Sequence, residues 1–190
     1  MAINNRSKVI DIIPPKDIWQ GPATAPVELV EFGDYESEDC AKAHEVVKKL
    51  LATYGDQLRF NFRHYPMTQV HQRAHKAAEA AVGACQAGKF WEMHEILFKN
   101  RKHLGPVSLK EHSRDAGISD KHFLTRLLDS FYGWTVRADV MDAVALGVRD
   151  VPTFFINGQM YSGKNSFDGL SKAIDESLKT VKKKPAKQRA

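Results

Sequence analysis

The chain is expected to adopt an α/β fold with its elements in the order β-α-β, a long helical insertion, then β-β-α. Three observations predict it. Residues 27–64 read as strand, helix and strand. The roughly 75 residues that follow carry helical spacing and are too long for a loop. From Val148 to Ser162 the pattern returns to strands around Asn157-Gly158, a strong hairpin signal. With 190 residues, 43% of them hydrophobic, there is material for one domain with an insertion. The organisation expected is a lead-in over 1–25, a core from 26–66 and 148–180, a helical insertion over 67–147 and a basic, disordered tail over 181–190.

Each element has a local reason. Pro14-Pro15 and Gly21-Pro22 punctuate the lead-in, where Ile18 and Trp19 are expected to pack on the surface of the fold. Val27, Leu29, Val30 and Phe32 form an apolar strand that Gly33-Asp34 breaks. A helix is expected over Glu38–Tyr54, with Ala43, Val46, Val47, Leu50 and Leu51 on its buried face and Gly55 ending it. Leu58–His64 alternates apolar and polar, which predicts a strand with one wetter face. The insertion should hold helices over Ala74–Ala87, Phe90–Arg101 and Leu109–Ala116, one opened by Ser119 with Phe123, Leu124, Leu127 and Leu128 inward, and one over Tyr132–Leu146. Strands at Thr153–Ile156 and Gln159–Ser162 follow, and Ser166 should cap a last helix, Phe167–Leu178.

Val27–Cys40 is the stretch around which the chemistry is organised. Ser37 is a good N-cap, and Glu38 and Asp39 suit the positive end of a helix dipole. Cys40 falls in the first helical turn, where the helix N-terminus favours thiolate while Glu31, Glu38 and Asp39 oppose it. These effects are of similar size, so the sequence leaves the sign of the Cys40 shift open.

This stretch resembles the DsbA-like branch of the thioredoxin superfamily, where a Val-Glu-Phe strand leads into a Cys-Pro-aromatic-Cys motif. The Val151-Pro152-Thr153-Phe154 stretch resembles the same family's cis-proline loop, and the resemblance covers about residues 17–178. It implies a thioredoxin fold with a DsbA-type helical insertion and, by ancestry, a thiol-disulfide oxidoreductase related to disulfide isomerases. It also implies that Glu31 is the family's buried acid, that Ser37 stands in place of the nucleophilic cysteine, and that Cys40 is the resolving one. Glu38, Asp39, Val151 and Pro152 would line the substrate groove. With Ser-Glu-Asp-Cys in place of Cys-x-x-Cys, at most one-thiol chemistry through Cys40 is expected. The alternatives are a redox-inactive peptide- or protein-binding module, and a glutathione-binding, transferase-like protein using Ser37.

Other features bound the function. Cys85 lies in an Ala-rich stretch and is expected to be a small buried hydrophobe. His64, His71 and His75 with Cys40 make a weak zinc pattern, since only His71 and His75 are local, so no metal and no cofactor is expected; His94 should be a packed polar residue. No apolar run is long enough to span a membrane, and Met1–Lys8 lacks the apolar core of a secretory signal, so a cytoplasmic protein without a membrane partner is expected. Net charge is +5, but six of the 28 basic residues lie from Lys179 onward, which leaves 22 against 23 acids in the rest. The basic character is therefore a tail, and nucleic acid is not the expected partner. A thiol-containing protein or glutathione is.

Overall fold

The computed structural model describes residues 12–183. Its centre is β2, Val27–Gly33, which runs parallel to β3, Leu58–His64, with Val27 opposite Leu58 and Gly33 opposite His64. On its other side β2 pairs antiparallel with β4, Thr153–Ile156, which sets Glu31 opposite Phe154. β5, Gln159–Met160, closes that edge, and the sheet order is β1-β3-β2-β4-β5. β1, Trp19–Gln20, adds an antiparallel rung outside β3. The lead-in was expected only to lie on the surface. Two of its residues instead satisfy the outer edge of β3, and Asn61 fastens the segment by donating to the carbonyls of Pro15 and Ile18, each at 2.7 Å.

Alternation along β2 sorts its side chains. Val27, Leu29 and Glu31 share one face with α1, Glu38–Tyr54, and α7, Phe167–Lys183. Val30 and Phe32, with Phe155 of β4, face α6, Gly133–Ala145, at Ala143. The insertion continues with α2, Ala74–Cys85; α3, Phe90–Lys99; α4, Pro106–Asp115; and α5, Phe123–Leu128. Residues 74 and 77–85 of α2 are all buried, because a helix rich in Ala and Gly lets its neighbours approach on every side. A Cβ at Gly83 would meet the rings of Phe123 and Tyr132 at 2.9 Å.

Beyond small shifts of bounds, such as β5 ending at Met160 rather than Ser162 and α4 opening at Pro106 rather than Leu109, four local expectations differ from what is observed. β3 has no wet face: Asn61, Arg63 and His64 are buried because β3 is an interior strand, and each of the three side chains finds a polar partner inside, although His64 Nε2 has none among the described residues. On α1, His44 takes a core position while Val46 and Leu51 are half-buried; its ring stacks on Phe98 at 4.8 Å. α5 starts at Phe123 rather than Ser119, with Asp120 accepting the His122 N–H, and so short a helix leaves Leu128 exposed. α7 runs on through Lys183, beyond the expected end at Leu178. The tail from residue 184, and the first eleven residues of the lead-in, lie outside the described residues.

The Asn157-Gly158 turn has the two positive φ angles, 48° and 77°, that a type I′ hairpin needs. Gly33 is required for a different reason. A Cβ there would sit 2.5 Å from Phe62 Cε2 and 3.0 Å from Glu31 Oε1. Gly33→Ala is therefore expected to cost about 1–3 kcal/mol by overpacking. It should lower the urea midpoint at an unchanged m-value, and an unmoved midpoint would contradict the packing described.

Candidate functional site

The site forms where β2 ends and α1 begins. Ser37 adopts an extended conformation, and its Oγ accepts the Cys40 N–H at 3.3 Å, so it is the N-cap. Asp34 folds the loop between them. Its Oδ1 accepts the Glu36 N–H at 2.7 Å, while Oδ2 accepts the Met67 N–H at 2.8 Å and lies 2.9 Å from His71 Nδ1. Glu36 in turn accepts the Arg73 N–H at 2.9 Å. The β2–α1 loop is thus clamped to the segment that follows β3. The sequence showed Asp34 only as a strand breaker; its place after a glycine at a strand end was the available signal for a turn-forming carboxylate.

Cys40 is 0% exposed, and its Sγ accepts the Asp34 N–H at 3.4 Å. Burial drives its pKa far upward, the Glu31 charge adds to this, and the hydrogen bonds from Asp34 and with Ser37 recover only part. The thiol is protonated at neutral pH. The sign left open by the sequence is therefore set by a term absent from its weighing: desolvation outweighs the helix N-terminus. Glu31 is 1% exposed, and its Oε1 has no hydrogen-bond partner among the described residues. Burial raises its pKa to about 8, so at pH 7 it is mostly a neutral acid.

The opposite wall is the loop before β4. The Val151–Pro152 peptide bond is cis. The Val151 N–H is taken by Asp150 Oδ1 at 2.8 Å, and the Pro152 carbonyl accepts from Asn165 at 3.0 Å. Among the described residues the Val151 carbonyl accepts no hydrogen bond. Between this loop and α1 lies a groove of about 360 Å³ lined by Asp39, Lys42, Asp150, Val151, Pro152 and Asn165. Of the residues singled out in the sequence, Asp39, Val151 and Pro152 meet here. Ser37, Cys40 and Glu31 are buried instead, and Glu38 turns to Lys42 and Arg101 at 3.2 and 3.1 Å. Those partners, Lys42 foremost, hold its carboxyl below the usual range. Lys42, Asp150 and Asn165 were not anticipated, since only the folded loops bring them to the groove.

The histidines are dispersed among separate carboxylates. His64 lies 3.1 Å from Asp139, His71 2.9 Å from Asp34, and His75 3.5 Å from Glu79. His71 precedes α2, so it and His75 do not share a helical turn. Among the described residues no group of three His, Cys, Asp or Glu could hold a metal ion. His94 Nδ1 is 2.9 Å from the Tyr35 hydroxyl, and burial holds its ring well below the usual range, hence neutral. Cys85 is buried, unpaired and pushed up to about 12 by burial.

These elements define a class: a thioredoxin-type sheet, a helix whose first turn presents Ser37 to Cys40, and a proline loop facing it. A family model described as Thioredoxin matches residues 14–176, so the chain belongs to the thioredoxin family. Its fold is DsbA-like. It is similar to oxidised BdbD from Bacillus subtilis, with a TM-score of 0.77 at 21% identity, covering 87% of this chain and 93% of that one. Against a thioredoxin-like oxidoreductase from Silicibacter pomeroyi the TM-score is 0.74 at 24% identity, over 85% and 92% of the two chains. Among curated relatives, a protein named Na(+)/H(+) antiporter NhaA 3 from Salinispora tropica is 33% identical over 177 residues, which is 93% of this chain and 27% of the relative. One named Na(+)/H(+) antiporter NhaA from Nitrosospira multiformis is 34% identical over 166 residues, 83% of this chain and 25% of the relative. The chain thus spans about a quarter of the length of these curated relatives.

Proposed function

We propose that this protein is a DsbA-like binding module that keeps the family's groove and has lost its dithiol cycle. One observation carries the reading: Cys40 is fully buried and is not among the residues that line the groove. Thiol–disulfide exchange needs a thiolate that can reach a disulfide. Ser37 cannot form a disulfide, and Cys40 is both inaccessible and held protonated. One-thiol chemistry through Cys40 would first require the α1 N-terminus to open. A glutathione thiolate held by the Ser37 hydroxyl is less well supported, because Ser37 is buried and its Oγ caps α1.

The groove keeps what recognition needs. The Val151 carbonyl is free to accept from an extended segment, and Asp39, Asp150 and Asn165 offer polar contacts beside it. Main-chain pairing of this kind asks for no thiol in the partner. The partner class is an extended protein segment. Support for a protein partner also comes from the relatives named as antiporters, in which a stretch like this chain makes up about a quarter of a much larger protein.

The test is an amide-resolved NMR titration with a permanently unfolded, S-carboxymethylated polypeptide. Shifts are expected at Asp39, Lys42, Val151 and Asn165, without any change at Cys40 that depends on a reducible thiol. Absence of shifts along the groove at millimolar polypeptide would contradict the reading.

A further inference from the structure

The loop that enters β4 holds its backbone from both sides of Val151. The Asp150 carbonyl accepts from the Thr153 hydroxyl at 2.6 Å, and the Pro152 carbonyl accepts from the Asn165 amide at 3.0 Å. The Val151 carbonyl between them has no donor among the described residues. The Val151 N–H is in a different position. It donates to Asp150 Oδ1, on the residue just before it, at 2.8 Å. Val151 thus offers an open acceptor and a donor covered by one exposed side chain. An extended segment that pairs with Val151 through both groups must bring a carbonyl to the N–H and displace that carboxylate.

The displaced carboxylate has no cation waiting for it. Among the described residues Asp150 has no ion-pair partner, whereas Lys42, the cation that lines the groove, is held by Asp39 at 3.3 Å and by Glu38 at 3.2 Å. Arg101 reaches Glu38 at 3.1 Å, so these four charges cancel, two acids against two bases. Arg149 and Lys164 sit next to the groove's loops in the chain but are not among the residues that line it. Asp150 is the uncompensated charge on its wall.

We infer that Asp150 selects the partner of this groove: an extended segment that carries a lysine or arginine beside the residue pairing with Val151. The segment's carbonyl takes the Val151 N–H, its N–H donates to the Val151 carbonyl, and its cation meets the carboxylate that the pairing sets free. An aspartate or glutamate at the same place meets Asp150 as a like charge. Main-chain pairing supplies affinity without reading side chains, and the charge supplies the choice. This assignment rests on the groove binding an extended segment, as proposed above.

The test uses thiol-free peptides of one β-forming sequence, blocked at both ends, with Lys, Gln or Glu at the central position. Each is titrated into the full chain and followed by NMR at the Val151 amide. At low salt the affinities should fall in the order Lys, Gln, Glu, with about threefold to tenfold between the first and the last, as one exposed ion pair is gained and one like-charge contact avoided. Salt at about 1 M should level the series. In Asp150→Asn the side-chain oxygen still reaches the Val151 N–H but the charge is gone, so the Lys and Glu peptides should bind alike. Equal affinities for the wild-type protein would overturn the inference and leave the groove reading standing. A Lys preference that survives in Asp150→Asn would overturn it too, because the choice would then be made elsewhere in the groove. If none of the peptides shifts the Val151 amide, the groove reading itself has failed and the inference falls with it.

Discussion

Glu31→Gln is expected to leave stability nearly unchanged at pH 4.5 and to raise it increasingly as the pH is brought to 8. In the unfolded chain the Glu31 carboxyl gives up its proton near 4.5, and in the fold only near 8. Between those values the unfolded state holds fewer protons than the folded one, so the wild-type protein loses stability with rising pH. At 1.36 kcal/mol per pH unit the loss reaches roughly 5 kcal/mol as an upper figure. Glutamine has nearly the shape of the neutral acid and no charge to bury, so the variant should lack this slope. The cause is local: Glu31 shares the α1 face of β2, next to Gly33, and its Oε1 has no partner among the described residues. Urea unfolding of both proteins across this range checks it. Parallel curves would mean that Glu31 ionises in the fold as it does in water.

Asp139→Ala should destabilise the protein by about 3–5 kcal/mol at neutral pH, the cost of removing the buried carboxylate that Arg63 and His64 share and leaving Arg63 only the exposed Asp142. Asp139 accepts from Arg63 Nε at 2.7 Å and from the His64 N–H at 3.0 Å, and it lies 3.1 Å from His64 Nδ1. Burial alone would raise its pKa, but the hydrogen bond and charge of His64, with those of Arg63, outweigh burial and bring it below its ordinary value. A carboxyl depressed in the fold contributes stability above its unfolded pKa, and that contribution fades as the pH falls through its folded one. The gap between wild type and variant should therefore be fully open at pH 7 and narrow on acidification below about 4. Denaturant unfolding at neutral and acidic pH tests both the size and the direction. A gap under about 1 kcal/mol at pH 7 would place the pair among the weak surface interactions.

The two predictions mark where the sequence was legible and where it was not. Period and punctuation placed α1 at its observed bounds and β3 and β4 likewise, because those elements are set by local pattern and by caps such as Ser37. The family motifs placed Glu31 in the core and the proline loop across from α1. Pattern could not reveal that β3 is covered on both faces, since that depends on α6, whose Asp139 lies 75 and 76 positions further along than His64 and Arg63. Nor could it foresee the Asp34 clamp, which joins Met67 and His71 through space. The position of Cys40 in the first turn of α1 was readable. Its desolvation was not, because burial is a property of the whole fold.

The central claim, that the family's thiol chemistry is closed off in this fold, is tested most directly at the sulfur of Cys40. Alkylation by iodoacetamide should be followed against pH in a Cys85→Ala variant, so that one thiol reports. Near-silence is predicted for the folded protein through neutral and mildly alkaline pH, with ordinary reactivity and a midpoint near 8.5 after unfolding in denaturant. Rapid alkylation of the folded protein with a midpoint below about 8.5 would contradict the account, and would mean an open, activated thiolate at the head of α1.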